Sequence, residues 1–73
     1  MNIDNFSLQI ELESNIADEA NARRSYYKLL RDYEHLLSSG EIKLIEEIIA
    51  EELKHTEILK EMIYRRNYIK PEN

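Results

Sequence analysis

Ser38-Ser39-Gly40 divides this chain of 73 residues, and the fold follows from how that division is read. Gly40, the only glycine, stands where a helix would stop, in the left-handed position just past a helix C-terminus. Ser39 or Gly40 then caps whatever follows. Working outward, the pattern predicts one helix over about residues 6–37, a turn at 38–40 and a second helix over about 41–69. Pro71 blocks further extension and leaves residues 70–73 as a tail. Asp4, Asn5 and Ser7 are all acceptable N-caps for the first helix. Leu8, Ile10 and Leu12 alternate with polar residues as a strand would, but the helical period takes over from Leu12. The expectation is an all-α chain forming an antiparallel two-helix hairpin, because so short a turn makes the helices neighbours.

A chain of this size is one domain, at the length where a single core rarely suffices without a staple. Cysteine is absent, which excludes disulfides and thiolate zinc sites and leaves another kind of metal site or self-association. Fifteen acidic against ten basic residues give a net charge of −5, unfavourable for nucleic acid as a partner. The longest apolar run is three residues, far short of a membrane span. The first five residues lack both the basic and the apolar segments of a signal peptide, so a cytoplasmic location is expected. Two helices share one seam, which cannot cover both apolar stripes, so the hairpin is expected to need another hairpin.

The stripes contain residues that packing alone does not call for. At about 100° per residue from Glu19, Leu12, Leu30, Leu37 and Tyr26 fall within about 20°. Ile16, Ala22, Tyr27, Leu29 and Tyr33 fill the flanks, and Arg24 and Lys28 lie outside. The second helix repeats the pattern around Glu52: Ile45, Leu59 and Ile63 lie within about 20°, and His55 about 60° away. Glu51, about 100° from the centre, drops out as a ligand. Burying an ionised carboxylate without a partner costs several kcal/mol, so Glu19 and Glu52 must either be neutralised or be given a cation; a metal is the expected answer. Taken singly, a Glu on such a stripe often snorkels to the helix edge, and a His is more often a hydrogen-bonded core residue. His35 lies opposite Glu19 and reads as solvated. Arg23, alone of the basic cluster Arg23-Arg24-Lys28-Arg31, falls near the core, within reach of a carboxylate. Along the helices Glu19 is roughly 27 Å before Leu37, and Glu52 roughly 17 Å beyond Glu41. Bringing them level thus requires the turn to drop back about 10 Å, close to the full reach of three residues.

Glu19 followed by Tyr26 seven residues later, and Glu52-Leu53-Lys54-His55 as Glu-x-x-His, together resemble helices one and two of the ferritin-like di-iron superfamily, as in bacterioferritins and rubrerythrins. The 33 residues from Glu19 to Glu52 also resemble that family's register. In ferritin-like di-iron proteins the site takes a Glu from each of two helices and Glu-x-x-His from each of two others. One copy of this chain supplies half. The resemblance therefore implies a homodimer forming a four-helix bundle, with the site between subunits as in the encapsulated two-helix ferritins, and leaves room for a larger ring. It implies metal ligation by Glu19, Glu52 and His55, with Glu52 bridging, Glu19 terminal and His55 binding through one ring nitrogen. It further implies that Tyr26 hydrogen-bonds a carboxylate ligand and takes part in catalysis. The cofactor implied is a pair of iron ions per dimer, with Mn or Zn also suited to such ligands, and the activity is ferroxidase-type oxidation of Fe(II) by dioxygen or peroxide. Without cysteine there is no rubredoxin-type centre, which excludes a complete rubrerythrin peroxidase.

The competing expectation is a non-catalytic dimerisation or adaptor hairpin, in which the buried Glu and His set register or hold a structural metal. Ile10, Leu53, Ile58, Tyr64, Tyr68 and Ile69, outside the main stripes, are then available to a partner.

Overall fold

A computed structural model describes residues 3–68. It contains two long α-helices, α1 (Ile3–Tyr33) and α2 (Ser39–Tyr68), joined through a single 3-10 turn at Glu34–Leu36. No strand occurs among the described residues. The helices run antiparallel over their length. Arg66 donates to Asn5 Oδ1 at 3.0 Å near the open end, and Arg23 of α1 meets Thr56 of α2 further along the seam. The particle is a rod of 53 × 21 × 13 Å. The predicted end at Ile69 and the tail 70–73 lie outside the described residues.

The connection differs from the sequence expectation in a way that sets the register. Helix α1 ends at Tyr33 rather than near Leu37, and Leu37 turns to extended backbone (φ −97°, ψ 143°) with its N–H bonded to Glu34 O at 3.1 Å. Ser38, neither Ser39 nor Gly40, is the N-cap of α2. Its Oγ accepts from the Glu41 N–H at 3.1 Å, while Glu41 Oε1 accepts from the Ser38 N–H at 2.9 Å. This reciprocal pair is a capping box, in which each residue's side-chain oxygen accepts from the other's otherwise orphaned backbone N–H. Leu37 and Ile42, both half-buried, occupy the flanking positions at which a hydrophobic staple forms. Gly40 is not a left-handed C′ residue: it lies in the first turn of α2, and no described residue has positive φ.

Ending α1 one turn early removes the 10 Å mismatch that the sequence reading left. Glu19 stands about 21 Å from the end of α1 at Tyr33, and Glu52 about 20 Å from the start of α2 at Ser39. The two arms are equal, so the two carboxylates come level without a stretched loop.

Little of the chain is buried. Among the described residues only Leu12, Ile49 and Thr56 are buried. Leu8, Leu29 and Tyr33 of α1 and Leu44, Ile48 and Met62 of α2 remain exposed. Their helical positions explain this. From Glu52, Ile49 and Thr56 lie about 40–60° toward the seam, whereas Ile48 lies about 40°, and Leu44 and Met62 about 80°, to the other side. From Glu19, Leu12 and Arg23 lie about 20–40° toward the seam, and Leu8, Tyr33 and Leu29 about 20–80° to the other side. Because α2 runs back along α1, the two flanks open on the same side, as one broad apolar face.

Candidate metal centre

At the edge of the seam, where it meets that apolar face, Glu19, Glu52 and His55 converge. Each offers a ligand atom, and these atoms all lie within 4.8 Å of one another. Glu19 comes from the middle of α1, and Glu52 and His55 from one turn of α2. Three residues apart on a helix places two side chains on neighbouring positions of one face.

Glu19 Oε2 is buried and accepts no hydrogen bond. His55 Nδ1 is 3.7 Å away, close enough for an electrostatic contact and too long for a hydrogen bond. A buried carboxylate oxygen without a donor is costly, and a bound cation removes that cost. The donor set fits one: carboxylate oxygens and imidazole nitrogen suit Fe(II), Mn and Zn. Tetrahedral ligands at about 2.1 Å from one ion stand about 3.4 Å apart, so side chains up to 4.8 Å apart have to close by about 1 Å or more to share an ion.

The centre is open on one side. The His55 side chain is 51% exposed, against 23% for Glu19, and it faces the apolar surface carrying Ile48 and Met62. Glu51, which the helical angle set aside, lies with Oε2 4.0 Å from His55 Nε2 and is largely exposed. Tyr26 is half-buried and sits about 20° from Glu19 on the open side. Its hydroxyl does not reach Glu19 Oε2, which has no hydrogen-bond partner. His35 is exposed, as are Arg24, Lys28 and Arg31.

The seam also holds an arrangement that the sequence reading located only in half. Arg23 is partly buried as expected, but its partner is not a carboxylate. Its guanidinium Nη1 donates to Thr56 Oγ1 at 2.6 Å and to Glu52 O at 3.4 Å. Thr56, only 2% exposed, is the most enclosed of the three buried residues. Its hydroxyl donates in turn to Glu52 O at 3.1 Å, the back-bond to the preceding turn that helical Thr commonly makes. The available signal was position: Thr56 lies about 40° from Glu52 on the same stripe.

A shallow concavity at the loop end, lined by Arg31, Glu34, His35, Leu37, Ser39 and Ile42, shares no residue with this centre. No helix among the described residues is long and apolar enough to cross a membrane. No family model matches the chain, and no curated protein or solved structure matches it significantly.

Proposed function

We propose that the chain is a ferritin-like metal-binding protein whose centre is completed by a second copy, and that it oxidises Fe(II) there with dioxygen or peroxide. The observation that carries this reading is the meeting of Glu19, Glu52 and His55 within 4.8 Å around a buried carboxylate oxygen with no donor. The half-exposed His55 and the apolar face beside it support a homodimer. A two-fold axis through that face brings together four carboxylates and two imidazoles, the ligand set of a di-iron carboxylate bundle.

The roles follow from the resemblance to the ferritin-like ligand set: Glu19, Glu52 and His55 would hold the ions, with Glu52 in the bridging role, Glu19 in the terminal one and His55 binding through one ring nitrogen. Glu51 Oε2 lies 4.0 Å from His55 Nε2, on the exposed side. Exposed Glu47 and Glu51 add negative potential that draws cations to the mouth. Leu44, Ile48 and Met62, once covered, exclude water and strengthen the charge interactions inside. When bound, two ferrous ions supply one electron each to the oxidant.

Oxygen consumption on Fe(II) addition tests the activity, and native mass spectrometry with and without Fe(II) tests stoichiometry and assembly together. The expected result is a dimer, or a multiple of it, carrying two ions per pair of chains. Glu52→Ala and His55→Ala should each abolish iron-dependent oxygen consumption. Unchanged iron oxidation in both variants would sink the proposal.

One contact favours a second reading. His55 lies within 3.7 Å of Glu19, and an ion pair there needs no metal, as in an adaptor hairpin whose buried polar groups set register. A metal-free dimer of undiminished thermal stability, indifferent to Fe(II), supports that reading instead.

A further inference from the structure

We infer that Arg23 and Thr56 are positioning residues of the Glu19–Glu52–His55 centre, tying its two ligand-bearing turns together within the register the loop sets and keeping the guanidinium off the carboxylates. The inference rests on the metal-binding reading above. Arg23 is one turn on from Glu19 along α1, and Thr56 one turn on from Glu52 along α2. The bond between them, at 2.6 Å, therefore ties together the two turns that carry the ligands.

What the guanidinium does not bind matters as much. A half-buried cation beside two half-buried carboxylates would ordinarily pair with one of them. Yet among the described residues no carboxylate lies within ion-pair distance of Arg23, which is held by a hydroxyl and a main-chain carbonyl instead. Thr56 makes this possible. Its single proton goes to Glu52 O at 3.1 Å, so its oxygen presents only lone pairs to Arg23. The hydroxyl is thus committed on both sides in the most enclosed position of the hairpin. The carboxylates stay free for a metal because the neighbouring cation is bonded elsewhere.

The same bond fixes how the two ligand-bearing turns face each other within the register that the loop sets. A shift of one turn, about 5.4 Å, would break the Arg23–Thr56 bond and carry Glu19 away from His55.

The test uses the full chain, freed of metal and titrated with Co(II), whose visible spectrum reports its ligands. Thr56→Val keeps the side-chain shape and the Arg23 charge while removing the hydroxyl. It should weaken Co(II) binding about tenfold or more, the usual scale for groups that orient metal ligands, and should alter the bound spectrum. Thr56→Ser restores the hydroxyl and should return affinity and spectrum close to the original. Arg23→Gln, at a less enclosed position, should weaken binding similarly and serves in place of Thr56→Val if that variant does not fold. Wild-type Co(II) affinity in Thr56→Val or in Arg23→Gln overturns the inference. So does a Thr56→Ser variant as weak as Thr56→Val, because the methyl packing would then be what matters. Failure of the unaltered protein to bind Co(II) at all overturns the metal reading itself, a distinguishable result.

Discussion

The seam between the helices and the open face beside it are made of the same kinds of residue under opposite conditions. On the seam, Leu12, Ile49 and Thr56 are enclosed; on the open face, Leu29, Tyr33, Leu44, Ile48 and Met62 are exposed to water. Ile48 and Ile49 make the contrast sharpest, because they are adjacent in sequence and differ only in which way the helix turns them. A hairpin built to stand alone would have polar residues at the second set of positions. Ile10, Leu53, Ile58 and Tyr64 are exposed on other sides as well; what sets this apolar surface apart as a candidate for covering is that it borders Glu19, Glu52 and His55. Glu19 and Glu52 sit at the boundary between the two regions. In the proposed dimer a ligand there is half-sheltered by its own chain and finished by another.

Substituting those two isoleucines separates the regions, and it carries the largest expected effect. Ile48→Glu, with Met62→Glu, places charge on the open face and should abolish self-association. With so little else buried, most helical structure should be lost at low protein concentration, as followed by light scattering and circular dichroism. Ile49→Ala should instead cost about 2–4 kcal/mol through the seam and leave the oligomeric state unchanged. An Ile48→Glu, Met62→Glu protein that keeps its wild-type mass would show that the open face is not the contact.

Much of the centre was legible in the sequence because helical period reports direction. Glu19, Glu52 and His55 fall on apolar stripes by angle alone, and all three converge in the structure. Period says nothing of register, which belongs to the loop. There Leu36 and Leu37 prolonged the apolar pattern and concealed the early end of α1. The spacing Ser38-x-x-Glu41 carried the capping signal, but a lone glycine beside it drew the reading to Gly40. Thr56 escaped notice for a different reason. A small polar residue on an apolar stripe carries no mark of its own, and its importance arises from Arg23, which is 33 residues away.

Gly40 offers a smaller test of that correction. An added Cβ would meet only Ser38 Oγ at 3.9 Å, an ordinary contact, and the backbone there is helical. Gly40→Ala should therefore stabilise the protein by about 0.5 kcal/mol in denaturant melts, chiefly by restricting the unfolded chain. A left-handed residue at this position would respond in the opposite direction, with destabilisation of about 1 kcal/mol.

The smallest expected effect comes from Glu41, the acidic half of the capping box, and its sign separates the loop from the centre. The Ser38 backbone N–H, and then the Ser38 hydroxyl, hold the Glu41 carboxyl below its ordinary value of 4.5. A group whose pKa is lower in the folded state binds its proton more readily when unfolded. Its contribution to stability is complete above the unfolded value and fades as pH falls through the folded one. Denaturation of the wild type and of Glu41→Gln, compared from neutral pH downward, should show a wild-type advantage that shrinks once the pH passes below about 4.5. Because Glu41 caps α2 far from Glu19 and Glu52, that advantage should persist with or without added metal. A gap that instead vanishes when metal is removed would mean that the cap and the centre are energetically one unit, with the loop's control of register acting through the ligands themselves.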